Sequence, residues 1–177
     1  MDCLYTEAEL SQSGSQLVVF GMTLDRTTIT EYEKNIKRVW PDAWTSYNDL
    51  MELARNEETN LPPEELPRVG DVVWIKTGGS KVIGFCIVKT APDSEINKKA
   101  VVAVTKSICN KARELGISYY GMDMLSCNNG REWAAIVEDI EKNSEGVQAV
   151  VCVPTNELLE DVLSKLPGKE FKMVNAG

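Results

Sequence analysis

The chain has 177 residues, of which 43% are hydrophobic and 26% charged, and its formal net charge is −8. This length and composition are typical of one globular domain with a sizeable core, so we expect residues 1–177 to form a single domain. The sequence has no apolar run of about eighteen residues, which excludes a membrane span, and no histidine, which excludes Cys-His and Ser-His catalysis and the commonest metal ligand.

The N-terminal residues are acidic and lack the basic and apolar regions of a signal peptide, which predicts a cytoplasmic protein. The five cysteines are scattered, odd in number and without a CxxC pair, so neither a disulfide framework nor a metal site is expected. The acidic balance argues against free nucleic acid as a partner, because nonspecific affinity for phosphate comes from basic residues. An acidic surface instead favours solubility or docking on a basic protein.

The first part of the chain predicts one strand followed by two helices. Gln16–Met22 is a short apolar run that reads as a strand, and Thr23–Thr28 follows it as a polar loop. A helix over Ile29–Val39, capped by Thr28 or Thr30, ends before Pro41. A second helix over Asp42–Asn56 shows apolar residues at helical spacing.

The middle of the chain predicts a β-hairpin followed by a long helix. Val69–Lys76 and Lys81–Lys89 flank a Thr-Gly-Gly-Ser turn, which favours an antiparallel pair of strands. The polar loop that follows contains Ser94, a candidate N-cap for a helix over Ile96–Leu115. Gly116 is placed to end that helix.

The last part predicts strand, loop, helix and strand, and then one more helix. The strand Ile117–Leu125 leads into the polar loop Ser126–Gly130, and a helix runs from Glu132 to Ile140. The final predicted elements are a strand at Val147–Val153, a helix at Asn156–Leu166 and a short strand at Glu170–Val174. Alternating strands and helices with apolar strands predict an α/β fold, with helices on both faces of a mixed sheet of about five to seven strands.

The loop Ser126–Gly130 is the candidate ligand site. In open α/β sheets ligands bind beyond the carboxyl ends of the strands, where backbone amides and a helix N-terminus favour anions. A loop of Ser, Asn and Gly can approach a phosphate or a ribose closely. The same composition is also what any turn between a strand and a helix needs.

Four stretches, in their order and spacing, resemble a macrodomain, of the branch that includes ADP-ribose-1''-phosphate-processing proteins and DNA ADP-ribose glycohydrolases. They are Val39–Tyr47, Pro67–Gly79 with its Gly-Asp-Val string, Phe85–Lys89, of which Lys89 matches the family's string, and Met124–Trp133. The resemblance covers about residues 16–153. It implies a three-layer α/β/α fold and an ADP-ribose-like ligand bound without a cofactor.

The chain also departs from the family pattern. The first loop has neither an Asn nor a Gly-x-x-Gly string, and no catalytic lysine is placed there. In the second loop Gly130 alone clearly keeps a family glycine. The resemblance therefore implies ligand binding more directly than hydrolysis, and no catalytic residue is assigned.

The predicted ligand-binding residues lie in the two loops: Thr23, Asp25, Ser126, Cys127, Asn128, Asn129 and Gly130. Asp25 is a candidate to contact adenine or ribose or to act as a base, although a loop acid in an Asx turn is the simpler interpretation. Asp123, in an apolar strand, is either exposed or a buried acid with a perturbed pKa. Trp133 is expected to anchor its helix on the sheet.

Two functions remain open from the sequence. One is a protein that binds ADP-ribose or a related nucleotide, with or without ADP-ribosyl hydrolase activity. The other is an inactive acidic scaffold that binds another protein, such as an inhibitor or decoy of viral origin, suggested by the altered first loop and the net charge of −8.

Overall fold

The computed structural model describes residues 2–24, 31–55, 62, 66–91 and 94–166, which form six strands and six α-helices. The strands are β1 (Leu4–Glu7), β2 (Leu17–Thr23), β3 (Val72–Lys76), β4 (Val82–Lys89), β5 (Tyr119–Met122) and β6 (Gln148–Val153). The helices are α1 (Glu31–Val39), α2 (Pro41–Arg55), α3 (Lys98–Leu115), α4 (Gly130–Ala134), α5 (Val137–Lys142) and α6 (Asn156–Ser164).

The described strands form one mixed sheet in the order β1-β6-β5-β2-β4-β3. All neighbouring pairs are parallel except β3 and β4, which form the predicted antiparallel hairpin. The predicted mixed α/β sheet is therefore confirmed. Strand β2 lies between β5 and β4, so its carboxyl end is flanked by the ends of two other parallel strands.

The central strands are buried on both faces because helices cover both sides of the sheet. In β2, Leu17 and Val19 pack in a core with residues of α3 to α6. Val18, Phe20 and Met22 point the other way and pack in a second core with residues of α1 and α2. Alternation along a strand sends successive side chains to opposite faces, so an uninterrupted apolar run fits a strand between two helical layers.

Helix α3 begins and ends at residues with identifiable caps. Its N-cap is Asn97, whose side chain accepts a hydrogen bond from the amide of Ala100 at 3.0 Å. The prediction that Ser94 caps this helix was wrong, because the Ser94 hydroxyl closes a local turn with Ala91 instead. Gly116 ends the helix in the left-handed conformation at φ 71°, as predicted.

The helix predicted from Glu132 to Ile140 is broken into α4 and α5. The amide of Ile136 bonds to the carbonyl of Trp133 at 3.0 Å, a tightened last turn, and the backbone of Ile136 leaves the helix at φ −119°. The side chains of Ile136 and Val137 are both buried after the break. Neighbouring helical residues point about 100° apart, so a straight helix buries both less readily.

Strand β1 was not predicted, since Leu4–Glu7 is short and begins an acidic segment. It pairs in parallel with β6, in the register Leu4 opposite Val150. Trp133 anchors α4 as predicted, and its indole Nε1 donates a hydrogen bond to the Tyr5 hydroxyl of β1 at 2.9 Å. The predicted caps Thr28 and Thr30 and the predicted strand 170–174 lie outside the described residues.

Candidate functional site

The carboxyl ends of β2 and β4 are joined side by side. Thr23, the last residue of β2, stands opposite Lys89, the last residue of β4, after a register shift. The amide of Leu24 then donates to the carbonyl of Lys89 at 2.9 Å. These contacts hold together the first residues of the loops that follow β2 and β4. They lie at the edge of the sheet where ligands of α/β proteins bind.

A buried carboxylate connects the end of β5 to β2. Asp123 is 3% exposed and accepts hydrogen bonds from the amide of Gly21 at 3.0 and 3.2 Å and from the amide of Leu125 at 2.8 Å. Leu125 and Ser126 both have positive φ, 47° and 67°, so the chain reverses sharply here. Asp123 is therefore the buried acid that the sequence left as one of two alternatives.

The protonation of Asp123 changes near neutral pH. The pKa of its carboxyl is raised to about 7, chiefly by burial and with a smaller contribution from the charge of Glu33, while the hydrogen bonds from Leu125 and Gly21 act in the opposite direction. Desolvation disfavours the charged carboxylate, which is why a fully enclosed acid retains its proton to higher pH. The carboxyl thus gains or loses its charge in the physiological range.

Lys89 is a second charged group at this edge, and it was absent from the predicted site. Its side chain is 5% exposed, and its ammonium Nζ donates to the carbonyl of Ser126 at 3.2 Å. The contact ties the end of β4 to the predicted ligand loop. The sequence contained a signal for including Lys89 in the site, because this lysine ends an otherwise apolar strand and matches the family string. A lysine buried at such a position needs a polar partner nearby.

Cys127 faces inward from the predicted loop. Its amide donates to the carbonyl of Met124 at 2.9 Å, and its thiol is largely buried. Burial raises the pKa of that thiol far above its usual range, with the charges of Glu132 and Asp123 adding to the effect. The thiol therefore stays protonated and is a poor nucleophile.

Two amides of the predicted loop already bind carboxylates of this chain. The amide of Asn128 donates to Glu132 Oε2 at 2.8 Å, and the amide of Gly130 donates to Asp161 Oδ2 at 2.7 Å. The Asn129 side chain accepts from the amide of Glu132 at 2.9 Å and so caps α4. Within the described part of the chain, the amides of Ser126 and Asn129 have no hydrogen-bond acceptor.

Gly130 has a packing reason for being glycine. A Cβ at this position would lie 2.5 Å from the carbonyl oxygen of Asp161 and 2.9 Å from the Cα of Val162. Its missing side chain thus lets α4 approach the backbone of α6. This geometry explains the glycine by helix packing rather than by room for a phosphate, and a ligand role for Gly130 remains a prediction.

A cleft of about 520 Å³ opens beside these residues, between the loop after β4 and the start of α4. Its charged lining consists of Lys89, Lys98 and Arg131 with Glu95 and Glu132. Lys98 and Arg131 are exposed at the cleft, whereas Lys89 is buried and bonded to Ser126. The two exposed cations suit an anionic ligand.

Only some of the predicted site residues lie at this cleft. Asn129 lines this cleft, and Ser126 is tied to it through Lys89. Thr23 is buried beside Lys89, and Asp25 lies outside the described residues.

The described residues contain neither a metal-ligand cluster nor a membrane-spanning helix. In those parts of the chain, no three Cys, Asp or Glu side chains come together as a metal site. No helix there is long and apolar enough to cross a membrane.

Comparison of the sequence with family models and with curated proteins gives no match. Solved structures, in contrast, match over most of the chain. The macrodomain of Thermus aquaticus DarG has a TM-score of 0.68 and 16% identity, covering 86% of this chain and 98% of that one. The macrodomain of Mycobacterium tuberculosis DarG has a TM-score of 0.63 and 16% identity, covering 86% and 99%. Thermosipho africanus DarTG in complex with ADP-ribose has a TM-score of 0.61 and 13% identity, covering 84% and 42%.

These likenesses define the class of fold. Identities of 13–16% with TM-scores above 0.6 establish a shared architecture. This chain therefore has the macrodomain fold, a three-layer α/β/α arrangement around a mixed sheet, as the sequence predicted. Fold alone does not assign activity, so function has to be argued from the site.

Proposed function

We propose that this protein binds ADP-ribose or a related nucleotide derivative at the carboxyl edge of its sheet. The observation that carries the proposal is the cleft of about 520 Å³, which is lined by the exposed cations Lys98 and Arg131. Its volume falls within the roughly 300–1,000 Å³ of small-molecule sites. The structural likeness to Thermosipho africanus DarTG in complex with ADP-ribose supports the choice of ligand.

The available groups suit a pyrophosphate next to a ribose. Lys98 and Arg131 are exposed at the cleft and can pair with phosphate oxygens, which accept charge-assisted hydrogen bonds. Among the described residues, the amides of Ser126 and Asn129 are loop donors without an acceptor. The carboxylate of Glu132, already bonded to the amide of Asn128, disfavours a second anion directly at that amide.

Calorimetry with ADP-ribose, its cyclic isomers and NAD tests this proposal. We expect the double variant Lys98→Gln/Arg131→Gln to bind at least about tenfold more weakly than the wild type, a loss of about 1.4 kcal/mol. Lys106→Gln is the matched control, because Lys106 is an exposed lysine of the same helix α3 that does not line the cleft. Absence of binding heat with every nucleotide at millimolar concentration contradicts the proposal.

Hydrolysis of an ADP-ribosyl linkage is the reaction that such binding would serve in the glycohydrolase branch. In that case the substrate phosphates help to position water, since no side chain of the cleft is assigned as a base. The test is incubation with ADP-ribosylated DNA and with ADP-ribosylated protein over hours. An intact linkage, together with measurable ADP-ribose affinity, limits the function to binding.

The second candidate is a protein-binding scaffold that acts as an inhibitor or decoy. It is favoured by the loop amides of Asn128 and Gly130, which already hold carboxylates of Glu132 and Asp161. Reversal of charge at the exposed Glu138 is expected to weaken attraction to a basic partner at low salt. Glu141 is unsuitable for the same test, because its carboxylate accepts from the amide of Cys3.

A further inference from the structure

Strand β3 forms one edge of the described sheet, and its side chains are only partly buried. It pairs with β4 on one side and with no other described strand. Every side chain from Val72 to Ile75 is half-buried and Lys76 is exposed, whereas each residue of β4 is buried. A half-exposed apolar edge strand is the kind of surface that extended peptides pair with.

The hydrogen bonds on either side of β3 establish which residues face β4. The amide of Ile87 donates to the carbonyl of Asp71 at 3.0 Å, and the amide of Thr77 donates to the carbonyl of Lys81 at 3.0 Å. In an antiparallel pair, residues whose backbone faces the partner alternate with residues whose backbone faces away. The backbone groups at positions 71, 73, 75 and 77 therefore point toward β4.

The backbone groups of Val72, Trp74 and Lys76 consequently point outward from the sheet. Within the described part of the chain, none of these three amides or carbonyls has a hydrogen-bond partner. They form a continuous row of three donors and three acceptors. An added strand can pair with all six.

Both faces of β3 border a recess that alternate side chains of an added strand can enter. On the α3 side, a groove of about 610 Å³ is lined by Trp74, Lys76 and Lys111 among others. On the α2 side, a smaller recess of about 200 Å³ is lined by Ile75 and Trp40 among others. The Trp74 indole packs directly on Gly84 of β4, where a Cβ would lie 2.5 Å from the ring.

We propose that the β3 edge binds an extended peptide segment of a partner protein by strand addition, with a carboxylate side chain directed into the Trp74 groove. The groove is lined by Lys76 and Lys111 and by no carboxylate. The ammonium of Lys111 lies 5.6 Å from the centre of the Trp74 ring and also forms an ion pair with the exposed Glu114 at 3.1 Å. Lys76 has no ion pair within the described residues, so its charge is available to a ligand.

A second copy of this chain is a poorer occupant of the same edge. Symmetric antiparallel pairing centred on Trp74 would place Lys76 and Lys111 of both copies on one face of the joined sheet. The strand itself, Val-Val-Trp-Ile-Lys, offers no carboxylate to them. Each copy also carries a net charge of −8, so local and overall charges both oppose the dimer.

A displayed library of random twelve-residue peptides, selected on the immobilised full-length protein, provides the probe. We expect the enriched peptides to alternate apolar residues with an Asp or Glu and to bind more weakly as salt is added. Val72→Pro removes one outward amide and should lower affinity at least tenfold, while Val72→Thr retains the amide and should bind like the wild type. Proline is tolerated at the start of an edge strand, and the melting temperature verifies that the variant folds.

Amide exchange of the wild-type protein tests the same contact without a variant. A bound peptide should slow exchange at Val72, Trp74 and Lys76, and Lys76→Glu should lower the affinity of acidic peptides. Failure to enrich peptides, or equal binding to Val72→Pro, overturns the proposal. A wild-type dimer that Val72→Pro dissociates also overturns it, because a second copy then occupies the edge.

Discussion

The amide of Gly21 donates to both carboxylate oxygens of Asp123, at 3.0 and 3.2 Å, and so joins the middle of the sheet to the start of the candidate ligand loop. A Cβ on Gly21 would lie 2.5 Å from the carbonyl carbon of Leu125. The loop can cross β2 this closely only because position 21 has no side chain. Gly21 and Asp123 thus set the distance between the loop and strand β2.

Gly21→Ala is expected to destabilise the protein by about 1–3 kcal/mol, because the added methyl group meets backbone atoms that cannot rotate away. Chemical denaturation measures the loss. Gly14→Ala is the matched control, since a Cβ at Gly14 meets nothing within 4 Å, and it should change stability by less than about 0.5 kcal/mol. Equal stabilities of the two variants would show that the loop does not rest on β2.

Asp123 should make stability depend on pH. Because its pKa is raised to about 7, folded Asp123 keeps its proton above pH 4 while the unfolded carboxyl loses it. Unfolding then releases a proton, so the stability that this group contributes is present at low pH and is lost as pH rises from about 4 to 7. The slope is at most about 1.4 kcal/mol per pH unit.

Asp123→Asn removes this titration and keeps an acceptor for the amide of Gly21. Urea denaturation of both proteins at pH 5, 6, 7 and 8 should show the wild type losing stability relative to the variant up to about pH 7. The comparison cancels the effect of the other acidic groups, which both proteins share. Parallel pH profiles would place the pKa of Asp123 near its ordinary value.

Gly130→Ala should lower stability by about 1–3 kcal/mol, because its methyl group would meet the backbone of α6. Gly78→Ala is the control, since a Cβ at Gly78 meets nothing within 4 Å. Thermal unfolding and nucleotide calorimetry are measured on the same preparations. An unchanged melting temperature with a loss of nucleotide affinity would instead support a direct ligand role for Gly130.

The hydrogen bond from Trp133 to Tyr5 should appear as a coupling free energy. Tyr5→Phe leaves the buried indole N–H unpaired, at a cost of about 1–2 kcal/mol, and Trp133→Phe removes the donor and part of the core. A double-mutant cycle of these changes should give a coupling of about 0.5–1.5 kcal/mol. Tyr5→Phe combined with Trp44→Phe, on the opposite face of the sheet, should be additive.

Local pattern predicted most of the elements of this fold. The apolar runs that became β2 and β4, the turn between β3 and β4, and the helical spacing of α2 and α3 all depend on neighbouring residues. Periodicity and turn chemistry report such short-range preferences directly. The order of those elements, with the family resemblance, was enough to predict the α/β/α architecture.

The boundaries that failed depend on burial against distant elements. Leu4–Glu7 is a strand because it extends the sheet beside β6, near the other end of the sequence. Helix α4 ends before Ile136 because consecutive apolar side chains are buried there. Neither effect leaves a periodic signal within a short window of sequence.

By itself, the sequence determined the fold class, the net charge, the absence of histidine and the position of a polar loop after β5. The tertiary structure alone decided which groups that loop meets: Lys89 bonds to Ser126, Asp123 reaches Gly21, and Asp161 takes the amide of Gly130. Hydrogen bonds between residues far apart in sequence depend on how strands and helices pack. A loop whose amides bind phosphate and a loop whose amides bind carboxylates of the same chain can have the same composition. Only the packing of strands and helices distinguishes them.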